Sequence, residues 1–199
     1  MRHAYIVCNG ILTDSDNVEG WTDIFEDYYQ NEGYFCSRYE YTSGLFKSFF
    51  QGKRVKDIAK ICNRINRPLN YVGHSNGCDI FSRLIKDTEV RFESAHLFSA
   101  ATSSDFDRNG FNYGLITKRV KKLYLYCSER DLVLRDLASK TTFLNKIGLG
   151  YGTLGYTGPT NVLPQVESRV STTWKNEFRH SSWFSPENIQ ESFQLTLRK

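Results

Sequence analysis

Short apolar runs alternate with longer amphipathic stretches along this chain of 199 residues, and no other feature of the sequence constrains its fold as strongly. The apolar runs are continuous, which is typical of strands covered on both faces. The candidate strands are Ala4–Cys8, Tyr34–Tyr39, Leu69–Gly73, Ser94–Ser99, Leu123–Cys127 and Arg169–Trp174. The candidate helices are Trp21–Gln30, Phe49–Asn66, Asn76–Lys86, Asp131–Lys146 and Pro186–Leu197. This alternation predicts an α/β protein, a three-layer sandwich with a mostly parallel sheet of about six strands.

Two of the candidate helices carry local signals at their ends. Apolar residues recur at helical spacing from Phe49 to Ile65, and Pro68 then favours the end of that helix. The sequence Ser185-Pro186-Glu187 is typical of an N-cap, a first-turn proline and an acid that matches the helix dipole. A chain of 199 residues suits one compact domain, so we expect residues 1–199 to form a single domain.

Charge and cysteine usage argue against several classes of function. The net charge is +4, and the basic residues are scattered apart from Lys118-Arg119 and Lys121-Lys122, so we expect no nucleic-acid partner. The five cysteines include no Cys-x-x-Cys pair, which disfavours a zinc site and predicts free thiols in a reducing compartment. The run Ala4–Cys8 is too short for a signal sequence or a membrane span. We therefore expect a cytoplasmic protein.

The sequence Gly73-His74-Ser75-Asn76-Gly77 contains the pattern Gly-x-Ser-x-Gly between a candidate strand and a candidate helix. The pattern alone is weak evidence, but its strand–turn–helix context is that of a nucleophile elbow, where a strained turn exposes a serine hydroxyl. We predict Ser75 as a nucleophile, with the Asn76 amide free at a helix N-terminus to bind an oxyanion. The alternative is a glycine-rich turn that binds a ligand without catalysis.

A nucleophilic serine needs a general base, and the chain offers four histidines. His3 begins the first strand, at the opposite end of the predicted sheet, and His96 lies inside a strand, where a core role is more common. The side chain of His74 should point away from that of its neighbour Ser75. His180 follows the last strand, at the carboxyl edge where sites in open α/β sheets form, and is therefore the predicted base.

An acid must orient the imidazole and stabilise its cation. Asp131 lies in a short polar loop after the apolar run Leu123–Cys127, and we predict it as the third member of a catalytic triad. An aspartate in this position can also cap the following helix, and the two roles are compatible. Glu129 on the same loop and Asp105 after the preceding strand remain competitors.

With these motifs the chain resembles the α/β-hydrolase family, from Ala4 to about Trp183. The marks are the Gly73–Gly77 elbow, the polar loop that ends at Asp131 and the late His180, in the order Ser, Asp, His that this family uses. The resemblance implies a minimal α/β-hydrolase fold without a large cap domain. It also implies that the loop after the first strand supplies a second oxyanion amide.

That loop is Asn9-Gly10-Ile11 here, and we assign the second amide to Ile11, next to the retained Gly10. The residues predicted to border the substrate are Asn9, His74, Ala101 and Trp183. The glycine-rich segment Gly148–Gly158 is predicted to be a loop near the site, neither helix nor strand, and a lid and an ordinary surface loop both remain open.

The predicted activity is acyl transfer from an ester or related small-molecule substrate to water, with His180 moving the protons and no cofactor or metal required. A thioesterase or acyltransferase could use the same three residues, because only the leaving group or the acceptor would differ. A noncatalytic binding protein on the same scaffold is the third hypothesis.

Overall fold

Six strands form one sheet in the computed structural model, which describes residues 2–10, 20–39, 41, 51–140 and 152–198. The strands are β1 Ala4–Cys8, β2 Phe35–Tyr39, β3 Leu69–His74, β4 Phe92–Phe98, β5 Val120–Cys127 and β6 Val170–Trp174. The helices of the described part are α1 Trp21–Asn31, α2 Gln51–Arg64, α3 Asn76–Asp87, α4 Phe106–Asn109, α5 Phe111–Ile116, α6 Leu132–Lys140, α7 Leu154–Thr157, α8 Pro164–Glu167 and α9 Ile189–Thr196. A short 3₁₀ helix spans Ser182–Phe184.

The strand order in the sheet is β2-β1-β3-β4-β5-β6, and every neighbouring pair is parallel. The chain moves from β1 outward to β2, then returns to place β3 on the other side of β1. The order of the strands therefore reverses between β1 and β3. In open α/β sheets, ligands bind beyond the carboxyl ends of the strands at such a reversal. Gly10 and Ser75 follow the two strands at this point.

Side chains of alternate strand residues build two hydrophobic layers, one on each face of the sheet. In β1, Ile6 packs in the layer beneath α2 and α3, and Val7 packs in the layer beneath α1 and α9. The second layer is rich in rings, including a stacked pair formed by Trp21 and Phe184 with centroids 4.1 Å apart. Two covered faces explain why the strand runs are continuously apolar.

The structure confirms the predicted α/β class, the parallel sheet and all six strands. The prediction for the last helix was wrong at its start, because residues 186–188 form a turn in which the amides of Asn188 and Ile189 bond to the Ser185 carbonyl. The prediction that Gly148–Gly158 lacks regular structure was wrong for its second half, where α7 lies. Residues 141–151 are outside the described residues. All five cysteines are buried free thiols, as predicted.

Within the described ranges, no helix is both long and apolar enough to cross a membrane.

Candidate active site

The turn between β3 and α3 places Ser75 in a backbone conformation that few residues other than glycine adopt. Its φ is 52° and its ψ is −118°. Such a conformation costs on the order of 1–3 kcal/mol and persists only where its surroundings enforce it. Here the Ser75 amide donates to the Phe98 carbonyl, and the Ser75 carbonyl accepts from the amides of Cys78 and Ala101. These bonds hold the turn between the end of β4 and the start of α3.

Glycines allow the loop after β1 to approach this turn closely. A Cβ atom on Gly77 would lie 2.6 Å from the Cys8 carbonyl oxygen and 2.8 Å from that of Asn9. A Cβ atom on Gly10 would lie 2.7 Å from the Cβ of Ser75. All three approaches are shorter than carbon and oxygen atoms tolerate, so the three backbone segments can pack this way only without side chains.

His180 and Asp131 form a buried hydrogen-bonded pair beyond the carboxyl ends of β5 and β6. The Nδ1 atom of His180 lies 2.9 Å from Oδ2 and 3.0 Å from Oδ1 of Asp131. Asp131 is fully buried, and its Oδ1 also accepts a bond of 3.1 Å from the Leu134 amide in the first turn of α6. One carboxylate thus caps a helix and contacts an imidazole, so its position is fixed by backbone as well as by His180.

The other two acids considered from the sequence have different partners. Glu129 is exposed and contacts the side-chain amide of Asn176. Asp105 caps α4, where its Oδ1 accepts from the amides of Asp107 and Arg108. Of these three acids, Asp131 is the one that contacts His180.

His74 connects the serine turn to His180. Its Nε2 lies 3.1 Å from the His180 carbonyl oxygen, and the two rings are 4.9 Å apart between centroids. Burial lowers the pKa of His74 to about 3, and the neighbouring His180 acts in the same direction. His74 is therefore neutral, and its Nε2–H donates to that carbonyl. No hydrogen bond joins the Ser75 hydroxyl to His180 among the described residues, and such bonds often tighten only when substrate binds.

The predicted oxyanion donors lie around the start of α3. Asn76 is the first residue of α3, and its amide has no backbone partner in the described part of the chain, as expected for a first-turn amide. Its side chain is held by two bonds, one from Gln51 and one to the Tyr41 hydroxyl, at 2.9 and 2.7 Å. Gly10 packs against the Ser75 turn. Ile11 lies outside the described residues.

The four residues predicted to border the substrate are all buried to some degree, and their role stays a prediction. The side chains of His74 and Trp183 are fully buried, and the Trp183 ring packs against Phe98 and Phe178. Asn9 is largely buried and Ala101 is buried.

Ser128 was missed from the sequence, although it joins the two loops that carry Asp131 and His180. Its hydroxyl donates to the Phe178 carbonyl and accepts from the Arg130 amide. Its own amide donates to the Gly155 carbonyl at 2.9 Å. A small hydroxyl residue just after a strand is common, so no sequence signal distinguished it from any other loop serine.

Solved structures with similar folds come from several bacteria. The ydeN gene product from B. subtilis aligns with a TM-score of 0.58 at 11% identity, over 98% of this chain and 100% of that chain. The esterase domain of a Rhodothermus marinus protein aligns with a TM-score of 0.58 at 13% identity, over 96% and 84%. A candidate α/β-superfamily hydrolase from Xanthomonas campestris pv. campestris aligns with a TM-score of 0.58 at 12% identity, over 97% and 95%.

No protein-family model matches the chain, and no curated protein does. Similarity at so low an identity concerns the fold alone, because one fold supports many chemistries. The similarity to these structures confirms the α/β-hydrolase fold that the elbow motif and the order of the three residues predicted.

Proposed function

We propose that this chain, whose fold is that of the α/β-hydrolases, is a serine hydrolase that cleaves a carboxylic ester or a related acyl bond. The proposal rests chiefly on one observation: a buried His180–Asp131 pair packs, through His74, against a serine in a strained turn. Strain at a polar residue and a carboxylate-oriented imidazole are separately uncommon, and together they are the parts of an activated nucleophile. The esterase domain named among the similar structures favours the same class of reaction.

In the proposed reaction, the proton moves between Ser75 and His180. His180 Nε2 takes the proton of the Ser75 hydroxyl as its oxygen bonds to the substrate carbonyl carbon. The Asn76 amide, with a second amide from the loop after Gly10, stabilises the resulting oxyanion. The oxyanion collapses, the bond to the leaving group breaks, and His180 returns the proton to that group.

The second half of the reaction uses water. His180 takes a proton from a water molecule as the water oxygen bonds to the acyl carbon held on Ser75. The bond between that carbon and Ser75 Oγ then breaks, His180 returns the proton to Oγ, and a carboxylic acid is released. Asp131 keeps the Nδ1–H of His180 directed at itself through both halves, so that Nε2 remains available as the base. Every step uses residues of this chain and water.

The test is hydrolysis of p-nitrophenyl esters of graded acyl length, together with the matching thioesters, by the wild-type protein and by Ser75→Ala. We expect the wild type to cleave at least one series, and Ser75→Ala to lose about 10⁶-fold in kcat, as removal of a triad serine does. Ser171→Ala, at an exposed position of β6, is the matched control and should keep wild-type rates. Cleavage unchanged in Ser75→Ala, or absent in the wild type, would contradict the proposal.

A further inference from the structure

A cavity of about 250 Å³ lies at the amino end of the sheet, opposite to the candidate active site. Sites for drug-sized ligands are typically about 300–1,000 Å³, so this one suits a smaller molecule. Its described lining consists of His3, Tyr5, Tyr34, Asn70, Glu93, Ser94, Lys121, Lys122, Leu197 and Arg198. None of these residues belongs to the proposed hydrolase site.

The floor of the cavity is one row of side chains that crosses four strands. Tyr5 of β1 pairs in register with Asn70 of β3, Asn70 with Ser94 of β4, and Ser94 with Lys122 of β5. Residues paired across parallel strands point to the same face of a sheet. The row therefore runs from an aromatic ring, through an amide and a hydroxyl, to an ammonium group.

The polar middle of this row is held in place by its own hydrogen bonds. The Ser94 hydroxyl donates to Asn70 Oδ1 at 2.8 Å, and lies 3.1 Å from Nε2 of the buried His96. The Asn70 amide group contacts His3 Nδ1 at 3.1 Å. Buried polar groups that are satisfied in this way form a rigid wall.

The two ends of the cavity differ in character. At one end, the rings of Tyr5 and Tyr34 meet edge to face with centroids 5.4 Å apart. Leu197 also lines the cavity. At the other end are Lys122 and Arg198, and neither forms an ion pair with a carboxylate of the described residues. Such a cavity matches a molecule with an apolar body and an anionic head.

The charges at the rim leave an excess of positive charge. Lys121 is paired with Glu93, with its Nζ 2.8 Å from both carboxylate oxygens, so these two offset each other. The net positive charge of the lining then comes from Lys122 and Arg198. Burial lowers the pKa of His96 to about 3, and the positive charge of Arg198 lowers it further. The charge of Arg198 therefore acts on the buried side chains next to the cavity.

We propose that this cavity is a second ligand site, which binds a small carboxylate with a flat apolar body. The carboxylate lies between Lys122 and Arg198, and the apolar body lies against Tyr5, Tyr34 and Leu197. The proposal does not depend on the chemistry of Ser75, because the site is formed by the amino ends of the strands.

Calorimetric titration with benzoate tests this site, with benzamide as an uncharged molecule of the same shape. We expect benzoate to bind and benzamide to bind at least tenfold more weakly. Arg198→Gln and Lys122→Gln should each weaken benzoate binding about tenfold, because each removes one of the two positive charges that the carboxylate contacts. Lys56→Gln removes the same charge from an exposed position on α2, and should leave binding unchanged.

Lys122 and Arg198 lie at the opposite end of the sheet from Ser75. A loss of binding in their variants therefore shows that benzoate binds in the cavity and not at the candidate active site. Circular dichroism would establish that each variant is folded before titration. The proposal is overturned if benzoate does not bind, if benzamide binds equally well, or if Lys56→Gln weakens binding as much as the two cavity variants. It is also overturned if both cavity variants bind benzoate as the wild type does.

Discussion

Asp131→Asn is expected to lower kcat for ester hydrolysis by about 10⁴-fold while leaving the fold intact. Asp131 uses Oδ1 for the Leu134 amide and both oxygens for His180. Asparagine keeps one acceptor, which can still cap α6, and it caps helices as well as aspartate does. Its amide group then faces Nδ1 of His180, so the imidazole carries its proton on Nε2. That tautomer cannot accept the proton of Ser75.

Two measurements on the purified variants examine this prediction: kcat on the best p-nitrophenyl ester, and the free energy of unfolding in urea. Glu129→Gln makes the same chemical change on the same loop, at an exposed side chain away from His180, and should keep wild-type activity. Full activity in Asp131→Asn would mean that another carboxylate is the acid of the triad. A large loss of stability would show that its effect on activity is structural.

Gly77→Ala is expected to destabilise the protein by about 3 kcal/mol, which lowers Tm by roughly 6–12 °C for a chain of this size. The added methyl group would lie 2.6 and 2.8 Å from the carbonyl oxygens of Cys8 and Asn9. Those atoms belong to the end of β1 and the residue after it, and they cannot retreat without disturbing a strand that is paired with β2 on one side and β3 on the other. Gly77→Val should be worse, because two further methyl groups enter the same contact.

Gly52→Ala is the matched control for this prediction. Gly52 lies in the first turn of α2, and an added Cβ atom there would meet nothing within 4 Å. Alanine favours a helix over glycine by up to about 1 kcal/mol, so this variant should be slightly more stable than the wild type. The measurement is the Tm of each variant compared with that of the wild type. Wild-type stability of Gly77→Ala would mean that the elbow is not tightly packed against β1.

The secondary structure was predictable wherever one local signal dominated. Ala4–Cys8 is a strand with the predicted bounds, since a short apolar run covered on both faces has few other solutions. The start of α9 was not predictable, because the N-cap signals in Ser185-Pro186-Glu187 are equally compatible with a hydrogen-bonded turn. Local sequence does not distinguish a proline in the first turn of a helix from one in a turn just before it.

Contacts between distant segments were predictable only in part. Position at the carboxyl edge of the sheet indicated that Asp131 and His180 would be close, since parallel strands end at the same edge. The hydrogen bonds of the Asn76 side chain with Gln51 and Tyr41 join segments that are distant in the chain, and no periodicity of the sequence indicates them. The same holds for the row from Tyr5 to Lys122, because the register between strands follows from packing of the whole sheet.

The most direct test of the proposed nucleophile is intact-protein mass spectrometry after reaction with a fluorophosphonate. Such reagents form a stable bond with an activated serine, so the wild type should gain the mass of one phosphonyl group, located by peptide mapping at Ser75. Ser75→Ala should gain none, and Asp131→Asn should react far more slowly. A wild-type protein that stays unmodified, or that carries the group at another residue, would contradict the assignment of Ser75 as an activated nucleophile.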